Sequence, residues 1–339
     1  MEGDGRRSGD RGGHVWVKDR RAVAADGTEV AYTVLGDDPS APWVVLCAGF
    51  MCPDNFWAHL APALALDHRV IVLNYRSIGA SSDPRPPGYR ARNLHPDDYT
   101  MERVAGDVEA TLDAEQVDEV VAIGHSMGCQ VALQLWRQCG PRVRGLALVT
   151  GPYGSPLHTF YGVSLGARLF PLAYHGLPLL PRPVQRLLAR APRLPLAMPV
   201  ARALRALGPH TPAEGMELYF HHFGEVDPMV ALKFARGMHE ADAGPWLSEV
   251  DVPTLILTGE RDTFSPPQLG EAMLAALPDA ELGLIHEGTH GALIEFPVEI
   301  TDRVRDFLHR RLGAPERPAE GDPSRVTAPR VSARPVRPA

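Results

Sequence analysis

Six short apolar runs that alternate with stretches of helical composition constrain the fold of this chain most strongly. Runs that are apolar on both sides of the pleat are typical of parallel strands buried between helices. Their alternation with helices predicts an α/β domain with a mostly parallel central sheet and flanking helices. The predicted strands are Trp43–Cys47, Arg69–Asn74, Val120–Ile123, Gly145–Val149, Thr254–Leu257 and Glu281–Ile285. The predicted helices are Phe56–Leu66, Thr100–Glu115, Met127–Gln138, Gln268–Leu277 and Val298–Arg310.

Two further runs precede the parallel strands. Val15–Val23 and Glu29–Leu35 are separated by a turn that contains Asp-Gly, which predicts an antiparallel N-terminal hairpin. The two ends of the chain have a different composition from the body. Residues 1–13 are Gly-rich and charged, and residues 313–339 are rich in Pro and Arg, so both tails are predicted to be disordered.

The alternation of strands and helices stops after Val149 and resumes at Thr254, an interval too long for a connection. We interpret residues 153–248 as an inserted helical cap over the C-terminal edge of the sheet, where open α/β sheets bind ligands. Residues 14–152 and 249–312 then form the α/β core. The helix-compatible pieces of the cap are Leu157–Phe170, Val184–Arg190, Val200–Leu207, Met216–His222 and Asp227–Gly237.

Composition excludes several classes of function. With 34 Lys and Arg against 41 Asp and Glu, the net charge of −7 argues against a nucleic-acid binder. No apolar run is long enough to span a bilayer and the N-terminus has no apolar signal segment, so we expect a cytoplasmic protein. The four cysteines lack the paired spacings of a zinc site and are expected to be buried free thiols, at Cys47, Cys52, Cys129 and Cys139.

The segment Gly124-His125-Ser126-Met127-Gly128 lies directly between a predicted strand and a predicted helix. A serine at such a junction must adopt a strained turn, and glycines two residues before and after it leave the space that the turn needs. The turn raises the hydroxyl of Ser126 above the sheet. A serine hydroxyl is a weak nucleophile until an adjacent base removes its proton.

This strand, turn and helix resemble the α/β-hydrolase fold family, of the type with a helical cap inserted after the sixth strand. The resemblance covers about residues 15 to 312. It implies a nucleophile, an acid and a histidine in that chain order, with backbone N–H groups that bind the oxyanion. Ser126 matches the nucleophile. No nicotinamide or nucleotide motif is present, and no cofactor or metal is expected.

The acid and the histidine follow from the same resemblance. Strand Thr254–Leu257 is followed by Thr258-Gly259-Glu260-Arg261-Asp262, which is similar to the family's strand, Gly, x, x, Asp pattern and points to Asp262. Glu260 is the rival acid, and Asp251 precedes the strand at its other end. The family's histidine lies in a loop between the last strand and the final helix, which matches His290 better than His286.

The expected oxyanion donors are the backbone N–H groups of Met127 and Phe50. The chain has Ala48-Gly49 where the family commonly has His-Gly before the second donor, which leaves the anchoring of that loop open. Residues 74–81 resemble the family's Asp-x-Arg-Gly-x-Gly-x-Ser segment, with Asn for Asp and Ser for the first Gly, and are expected to be structural. The adjacent His221 and His222 lack metal-ligand spacing.

These residues predict a serine hydrolase that cleaves a carboxylic ester, thioester or lactone through an acyl-enzyme. An acyltransferase with the same triad and a non-catalytic ligand-binding protein on the same fold are the alternatives. The apolar and aromatic cap predicts a small-molecule substrate with an apolar acyl or alkyl group. The sequence gives no oligomeric state.

The charge is unevenly distributed along the chain. Residues 120–213 contain no Asp or Glu and ten arginines, which gives this stretch a charge of +10 and the remainder −17. We favour ion pairing between this stretch and the acidic core, and the alternative is contact with an anionic membrane surface. The ten are Arg137, Arg142, Arg144, Arg168, Arg182, Arg186, Arg190, Arg193, Arg202 and Arg205.

Overall fold

The computed structural model describes residues 16–84, 94–156, 165–203 and 207–313, and both predicted disordered tails lie outside these ranges except for Gly313. Its centre is an eight-stranded sheet with the strand order β1-β2-β4-β3-β5-β6-β7-β8. The strands are β1 Arg20–Val23, β2 Glu29–Leu35, β3 Trp43–Cys47, β4 Arg69–Leu73, β5 Val120–His125, β6 Val143–Val149, β7 Thr254–Gly259 and β8 Ala280–Ile285.

The sheet begins antiparallel and continues parallel, as predicted. β1 pairs with β2 and β2 pairs with β4 in antiparallel register, and every other pairing in the sheet is parallel. The carboxyl ends of β3, β5, β7 and β8 therefore meet at one edge of the sheet, which is the edge where open α/β sheets bind ligands. β1 begins at Arg20, later than the predicted strand, whose first residue lies outside the described ranges.

Helices cover both faces of the sheet. Alternate residues of β3 show this arrangement, because Val44 and Leu46 are buried in one hydrophobic cluster while Val45 and Cys47 are buried in another. The side chains of successive strand residues point to opposite faces, so a strand that is apolar at every position needs cover on both. The flanking helices are α1 Leu60–Leu64, α2 Met101–Ala114, α3 Met127–Cys139, α9 Pro267–Ala276, α10 Ala292–Glu295 and α11 Pro297–Leu312.

One predicted helix, Phe56–Leu66, is wrong as a continuous element. A short 3-10 helix at Asp54–Trp57 is followed by α1 at Leu60–Leu64. Pro62 explains the break, because proline cannot donate to a carbonyl one turn earlier and its ring collides with that carbonyl. Starting the helix at Leu60 keeps the proline in the first turn, where its N–H is not needed.

Among the described residues, five α-helices lie between β6 and β7, in the stretch predicted as a cap. Helices α5, α7 and α8 overlap the predicted pieces with shifts of a few residues at their ends, and residues 157–164 and 204–206 lie outside the described ranges. The division of the chain into core and cap stays a prediction. These helices are α4 Leu165–Gly176, α5 Arg182–Ala189, α6 Ala197–Ala203, α7 Ala213–Phe223 and α8 Pro228–Glu240.

All four cysteines are free thiols, but only two of them are buried. Cys47 in β3 and Cys129 in α3 are inaccessible, whereas Cys52 and Cys139 are partly exposed. The prediction of burial is therefore wrong for the last two. Cys52 lies in the loop after β3 and Cys139 at the last turn of α3, where packing is less complete than in the middle of the sheet.

Candidate active site

The turn that carries Ser126 joins β5 to α3 in a single residue. Ser126 has φ 54° and ψ −122°, a positive φ that a residue with a Cβ rarely adopts. Such a conformation costs about 1–3 kcal/mol and persists only where the surroundings enforce it. Here the Ser126 N–H donates to the carbonyl of Val149 on the neighbouring strand at 3.1 Å, and Ser126 itself is buried. The strain predicted for this serine is therefore present.

The two glycines of the motif are required by close backbone approach. A Cβ on Gly124 would lie 2.4 Å from the carbonyl oxygen of Gly128, the second residue of α3. A Cβ on Gly128 would lie 1.8 Å from the carbonyl oxygen of Cys47, at the end of β3. Neither contact is possible for a real Cβ, so only glycine lets the helix start this close to the sheet.

Ser126, His290 and Asp262 form a continuous hydrogen-bonded relay. The Ser126 Oγ lies 2.8 Å from His290 Nε2, and His290 Nδ1 lies 3.0 Å from Asp262 Oδ2. The serine follows β5, the aspartate follows β7 and the histidine follows β8, so three strand ends bring the relay together. All three residues singled out in the sequence thus meet within hydrogen-bond distance.

The aspartate is held by its second oxygen. Asp262 Oδ1 accepts hydrogen bonds from the backbone N–H groups of Phe264 at 2.8 Å and Ser265 at 2.9 Å. Its side chain has no exposed surface, so both backbone bonds are shielded from water. The ring of Phe264 stacks on His290 with 4.8 Å between centroids and 20° between the planes. This short turn therefore fixes the carboxylate and also supports one face of the imidazole.

Hydrogen bonds hold the loop that carries His290 at two points, which are the carbonyl of His290 and the preceding residue. The His290 carbonyl accepts from His125 Nε2 and from Thr150 Oγ1, each at 3.2 Å. The preceding residue, Thr289, donates its backbone N–H to Glu295 at 2.8 Å and its hydroxyl to the same carboxylate at 2.6 Å. The histidine is therefore held from the strand side and from α10.

The rival acid and the rival histidine lie outside the relay and contact each other. Glu260 Oε2 lies 2.7 Å from His286 Nδ1, and both side chains are largely exposed. The Glu260 carboxylate also accepts the backbone N–H of Glu287, which lowers its pKa below the ordinary value. Asp251 is exposed and precedes β7, at the strand end opposite to Asp262.

His125, the residue before the serine, is a buried neutral histidine. Burial, with a smaller contribution from the nearby His290, lowers its pKa to about 3. Because its Nε2 donates to the His290 carbonyl, the proton of the neutral ring is on Nε2. Its ring packs between those of Phe56 and His290, with centroids 5.4 and 5.7 Å away. Its place inside the motif is visible in the sequence, but no sequence pattern indicates that it supports the His290 loop.

The loop after β3 lies beside the serine. A Cβ on Gly49 would lie 3.1 Å from the Cβ of Ser126, which places the adjacent Phe50 at the rim of the site. Met127 is the first residue of α3, and the first N–H groups of a helix have no acceptor within the helix. The Phe50 carbonyl lies 3.5 Å from the hydroxyl of Tyr219 in α7, so this helix touches the loop.

A cavity of about 490 Å³ lies above the serine, within the size range of small-molecule sites. Its floor includes Ser126 and His290, and its walls come from the loop after β3 and from the helices between β6 and β7. Apart from the relay, the lining is almost entirely apolar. The aromatic lining residues are Phe50, Phe56, Tyr219, Phe220, Phe223 and Phe264.

Two amide side chains hold the segment between β6 and β7 by hydrogen bonds to its backbone. Gln130 in α3 donates its amide to the carbonyls of Gly154 at 3.0 Å and Met238 at 2.9 Å. Asn55 donates to the carbonyl of Gly215 at 3.0 Å. The roof of the cavity is therefore connected by hydrogen bonds to the helix that follows the serine.

The segment of residues 74–81 is a structural support. Arg76, with 1 % exposure, donates from Nε and Nη2 to the fully buried Asp107 at 2.9 and 2.6 Å. Asn74 Oδ1 accepts the N–H of Ala80, and Gly79 has φ 55° beside it. The segment thus braces the sheet against α2 without reaching the serine.

No group of three His, Cys, Asp or Glu residues that could hold a metal ion occurs among the described residues. His221 pairs with Glu225 at 3.5 Å, and its neighbour His222 is buried in the last turn of α7. Sequence reasoning missed Phe264 and Glu295. Their positions beside the predicted acid and histidine were visible, but no sequence pattern distinguishes a supporting contact there.

The amino-acid sequence of this chain is similar to one protein family and to several named proteins. Residues 42–297 match the sequence profile of the family described as "alpha/beta hydrolase fold". A protein of Klebsiella pneumoniae named "Putative carbamate hydrolase RutD" is 24% identical over 279 residues, which cover 81% of this chain and 94% of that protein. A protein of the same name from Pseudomonas syringae is 26% identical and covers 79% and 94%.

Solved structures agree on the fold. The enol-lactonase of Burkholderia xenovorans LB400 has a TM-score of 0.65 and 23% identity, and the match covers 86% of this chain and all of that one. A thermophilic esterase of Thermogutta terrifontis has a TM-score of 0.64 and 24% identity, with 86% and 98% covered. At these identities the likeness extends to the fold.

Proposed function

The chain belongs to the α/β hydrolase fold family, and on that premise we propose that it is a serine hydrolase that cleaves a carboxylic ester, thioester or lactone. One observation carries the proposal. Ser126, His290 and Asp262 are joined by hydrogen bonds of 2.8 and 3.0 Å at the floor of an apolar cavity. This is the geometry in which a histidine can remove the proton of a serine hydroxyl during attack on a carbonyl.

In the acylation step, Ser126 Oγ attacks the carbonyl carbon as His290 Nε2 accepts the hydroxyl proton. The carbonyl oxygen becomes an oxyanion, for which we propose the backbone N–H groups of Met127 and Phe50 as donors. The bond to the leaving group then breaks, and the leaving oxygen or sulfur takes the proton from His290. The acyl group stays on Ser126 as an ester.

In the deacylation step, water replaces the alcohol or thiol. His290 removes a proton from the water as its oxygen attacks the acyl carbon, and returns that proton to Ser126 Oγ when the acyl-enzyme bond breaks. Asp262 accepts the Nδ1–H of His290, which keeps Nε2 free to act as a base and stabilises the imidazolium. Its two backbone hydrogen bonds hold it in place throughout.

The cavity lining supports an apolar acyl or alkyl group on the substrate. Phe50, Phe56, Tyr219 and Phe223 leave few polar groups with which a charged or strongly hydrated acyl group could pair. The relatives named for carbamates, and the neighbours named as an esterase and an enol-lactonase, all carry names for reactions at an acyl carbon. Among these substrates the apolar lining favours an ester with a short to medium acyl chain.

The test is a panel of p-nitrophenyl esters graded by acyl length, with a p-nitrophenyl carbamate beside them. We expect turnover of the esters and a loss of about a thousandfold or more in Ser126→Ala. Undiminished turnover in Ser126→Ala would overturn the assignment of the nucleophile. Faster turnover of the carbamate than of every ester would overturn the proposed substrate class.

Added alcohols separate hydrolysis from acyl transfer in the same assay. A hydrolase releases free acid as the main product, because water is the acceptor of the acyl group. An acyltransferase would instead convert most of the acyl group to the new ester at millimolar alcohol. That outcome would keep Ser126 as the nucleophile and replace the hydrolase assignment.

A further inference from the structure

The segment of residues 165–203, which we call the Arg–Leu segment, exposes an unusual amount of apolar side chain. Ten of the sixteen large hydrophobic residues that are exposed in the described part of the chain lie within it. Soluble proteins rarely expose contiguous apolar surface of this kind unless it contacts a partner or a membrane. The ten are Leu169, Leu172, Leu179, Leu180, Val184, Leu187, Leu188, Leu194, Leu196 and Val200.

Helix α5 shows that this exposure follows the helical period. Val184, Leu187 and Leu188 have the spacing i, i+3, i+4 and are 39%, 70% and 47% exposed. An apolar stripe with this spacing normally faces the core of a protein. In α5 these three side chains are exposed instead. The apolar stripe is directed away from the core.

The arginines of the Arg–Leu segment form different ion pairs from the arginines that precede this segment in the chain. Arg142 and Arg144 form the ion pairs that the sequence favoured, with Asp113 at 2.7 Å and Glu119 at 2.5 Å on the core.

Arg168, Arg190 and Arg202 are exposed, and the described part of the chain places no carboxylate within ion-pair distance of them. Arg193 pairs with Glu225, which follows α7, at 3.4 Å. Ion pairing with the core therefore does not account for the positive charge of these four arginines.

We propose that the Arg–Leu segment is a docking surface for an anionic lipid bilayer. Exposed leucines interleaved with arginines match an interface that offers hydrocarbon and negative charge together. A second copy of the chain matches less well, because a symmetric contact would bring the same arginines face to face. None of the described helices is both long and apolar enough to cross a membrane.

The same segment reaches the cavity above Ser126. Pro192 and Ala201 line that cavity, while Leu194 and Val200 nearby in the chain are exposed on the outside. A bilayer against the outer side would lie next to the substrate site. The identity of this cavity as a substrate site rests on the proposed function, whereas the docking itself does not depend on Ser126.

Vesicle co-sedimentation of the full chain tests the docking separately from catalysis. The probe is vesicles of phosphatidylcholine with or without one third phosphatidylglycerol, at low salt, with the Ser126→Ala background to prevent lipid hydrolysis. We expect binding to the anionic vesicles only. The triple variant Arg168→Gln, Arg190→Gln, Arg202→Gln should weaken it about a hundredfold, from about fivefold per arginine near an anionic surface.

A control variant removes three positive charges outside the Arg–Leu segment. Arg21, Arg144 and Arg310 are exposed on the core, and their change to Gln lowers the net charge equally. This control should retain vesicle binding within a few-fold. An equal loss in both triple variants would overturn the proposal, because attraction would then depend on net charge alone.

Two double variants test the contribution of the exposed leucines to vesicle binding. Leu179→Gln with Leu187→Gln, at 84% and 70% exposure, should reduce binding at least tenfold, whereas Val17→Gln with Val298→Gln should not. Absence of wild-type binding to anionic vesicles would overturn the proposal. A dimer in light scattering that Leu179→Gln with Leu187→Gln abolishes, in a protein that ignores vesicles, would assign the surface to a second copy instead.

Discussion

Replacing Asp262 with asparagine isolates the role of its charge, because the structure predicts how the new amide will be oriented. Asp262 Oδ1 accepts two backbone N–H groups, from Phe264 and Ser265, so the amide oxygen of the introduced asparagine will take that position. The amide NH₂ must then face His290 Nδ1, which now accepts a hydrogen bond at the atom that previously donated. The imidazole proton moves to Nε2, where it faces Ser126.

A histidine protonated on Nε2 cannot accept the serine proton. We expect kcat for the best p-nitrophenyl ester to fall on the order of 10⁴-fold, which corresponds to about 5 kcal/mol of transition-state stabilisation. The fold should persist, because both backbone N–H groups keep an acceptor. The free energy of unfolding in urea should therefore change by no more than about 1 kcal/mol.

Glu260→Gln is the matched control, because it makes the same change at the rival acid two residues away. Glu260 contacts His286 and not His290, so the control should retain kcat within about threefold. A fall of less than tenfold in Asp262→Asn, or an equal fall in Glu260→Gln, would refute the reasoning.

Three further predictions concern the support of the site. Gly128→Ala should abolish ester turnover and lower the free energy of unfolding by about 3 kcal/mol or more in urea, because the Cβ would lie 1.8 Å from the Cys47 carbonyl oxygen; a variant of wild-type stability would contradict this. His125 is neutral in the folded chain, with a pKa of about 3, and takes up a proton in the unfolded chain near pH 6.5, so stability is lost as pH falls. Between pH 7 and 5 this histidine should cost about 2 kcal/mol of unfolding free energy, and His125→Gln should show a correspondingly weaker pH dependence in paired urea titrations. Asp107→Asn leaves the buried Arg76 guanidinium with the more exposed Asp26, at 2.8 Å, as its carboxylate partner and should cost about 2–3 kcal/mol in the same titrations, whereas a loss below about 1 kcal/mol would show that the Asp107 pair is dispensable.

Much of the fold was accessible from local patterns in the sequence. β3 has the bounds that its apolar run predicted, and Ser126 lies at the strand–helix junction where its flanking glycines placed it. Asp262 and His290 were accessible through the resemblance to the α/β-hydrolase family, whose short patterns after two strand ends they match, and the structure brings them within hydrogen-bond distance. These features depend on residues that are near one another in the chain.

Other features depend on contacts between distant residues and left no local pattern. The Pro62 that divides the predicted helix was visible, but the restart at Leu60 depends on packing against α11. The period of Val184, Leu187 and Leu188 predicts an apolar stripe, yet nothing in the period says whether the stripe faces the core or the solvent. For the same reason the total charge of residues 120–213 gave no indication of which arginines find carboxylates.

The central claim is that Ser126 is an activated nucleophile, and covalent labelling tests it most directly. The folded full chain is incubated with a fluorophosphonate and examined by intact mass and peptide mapping. The relay predicts a single adduct on Ser126 that is absent in Ser126→Ala and forms far more slowly in His290→Ala. Failure of the folded protein to label, or labelling at another residue that persists in Ser126→Ala, would contradict the account.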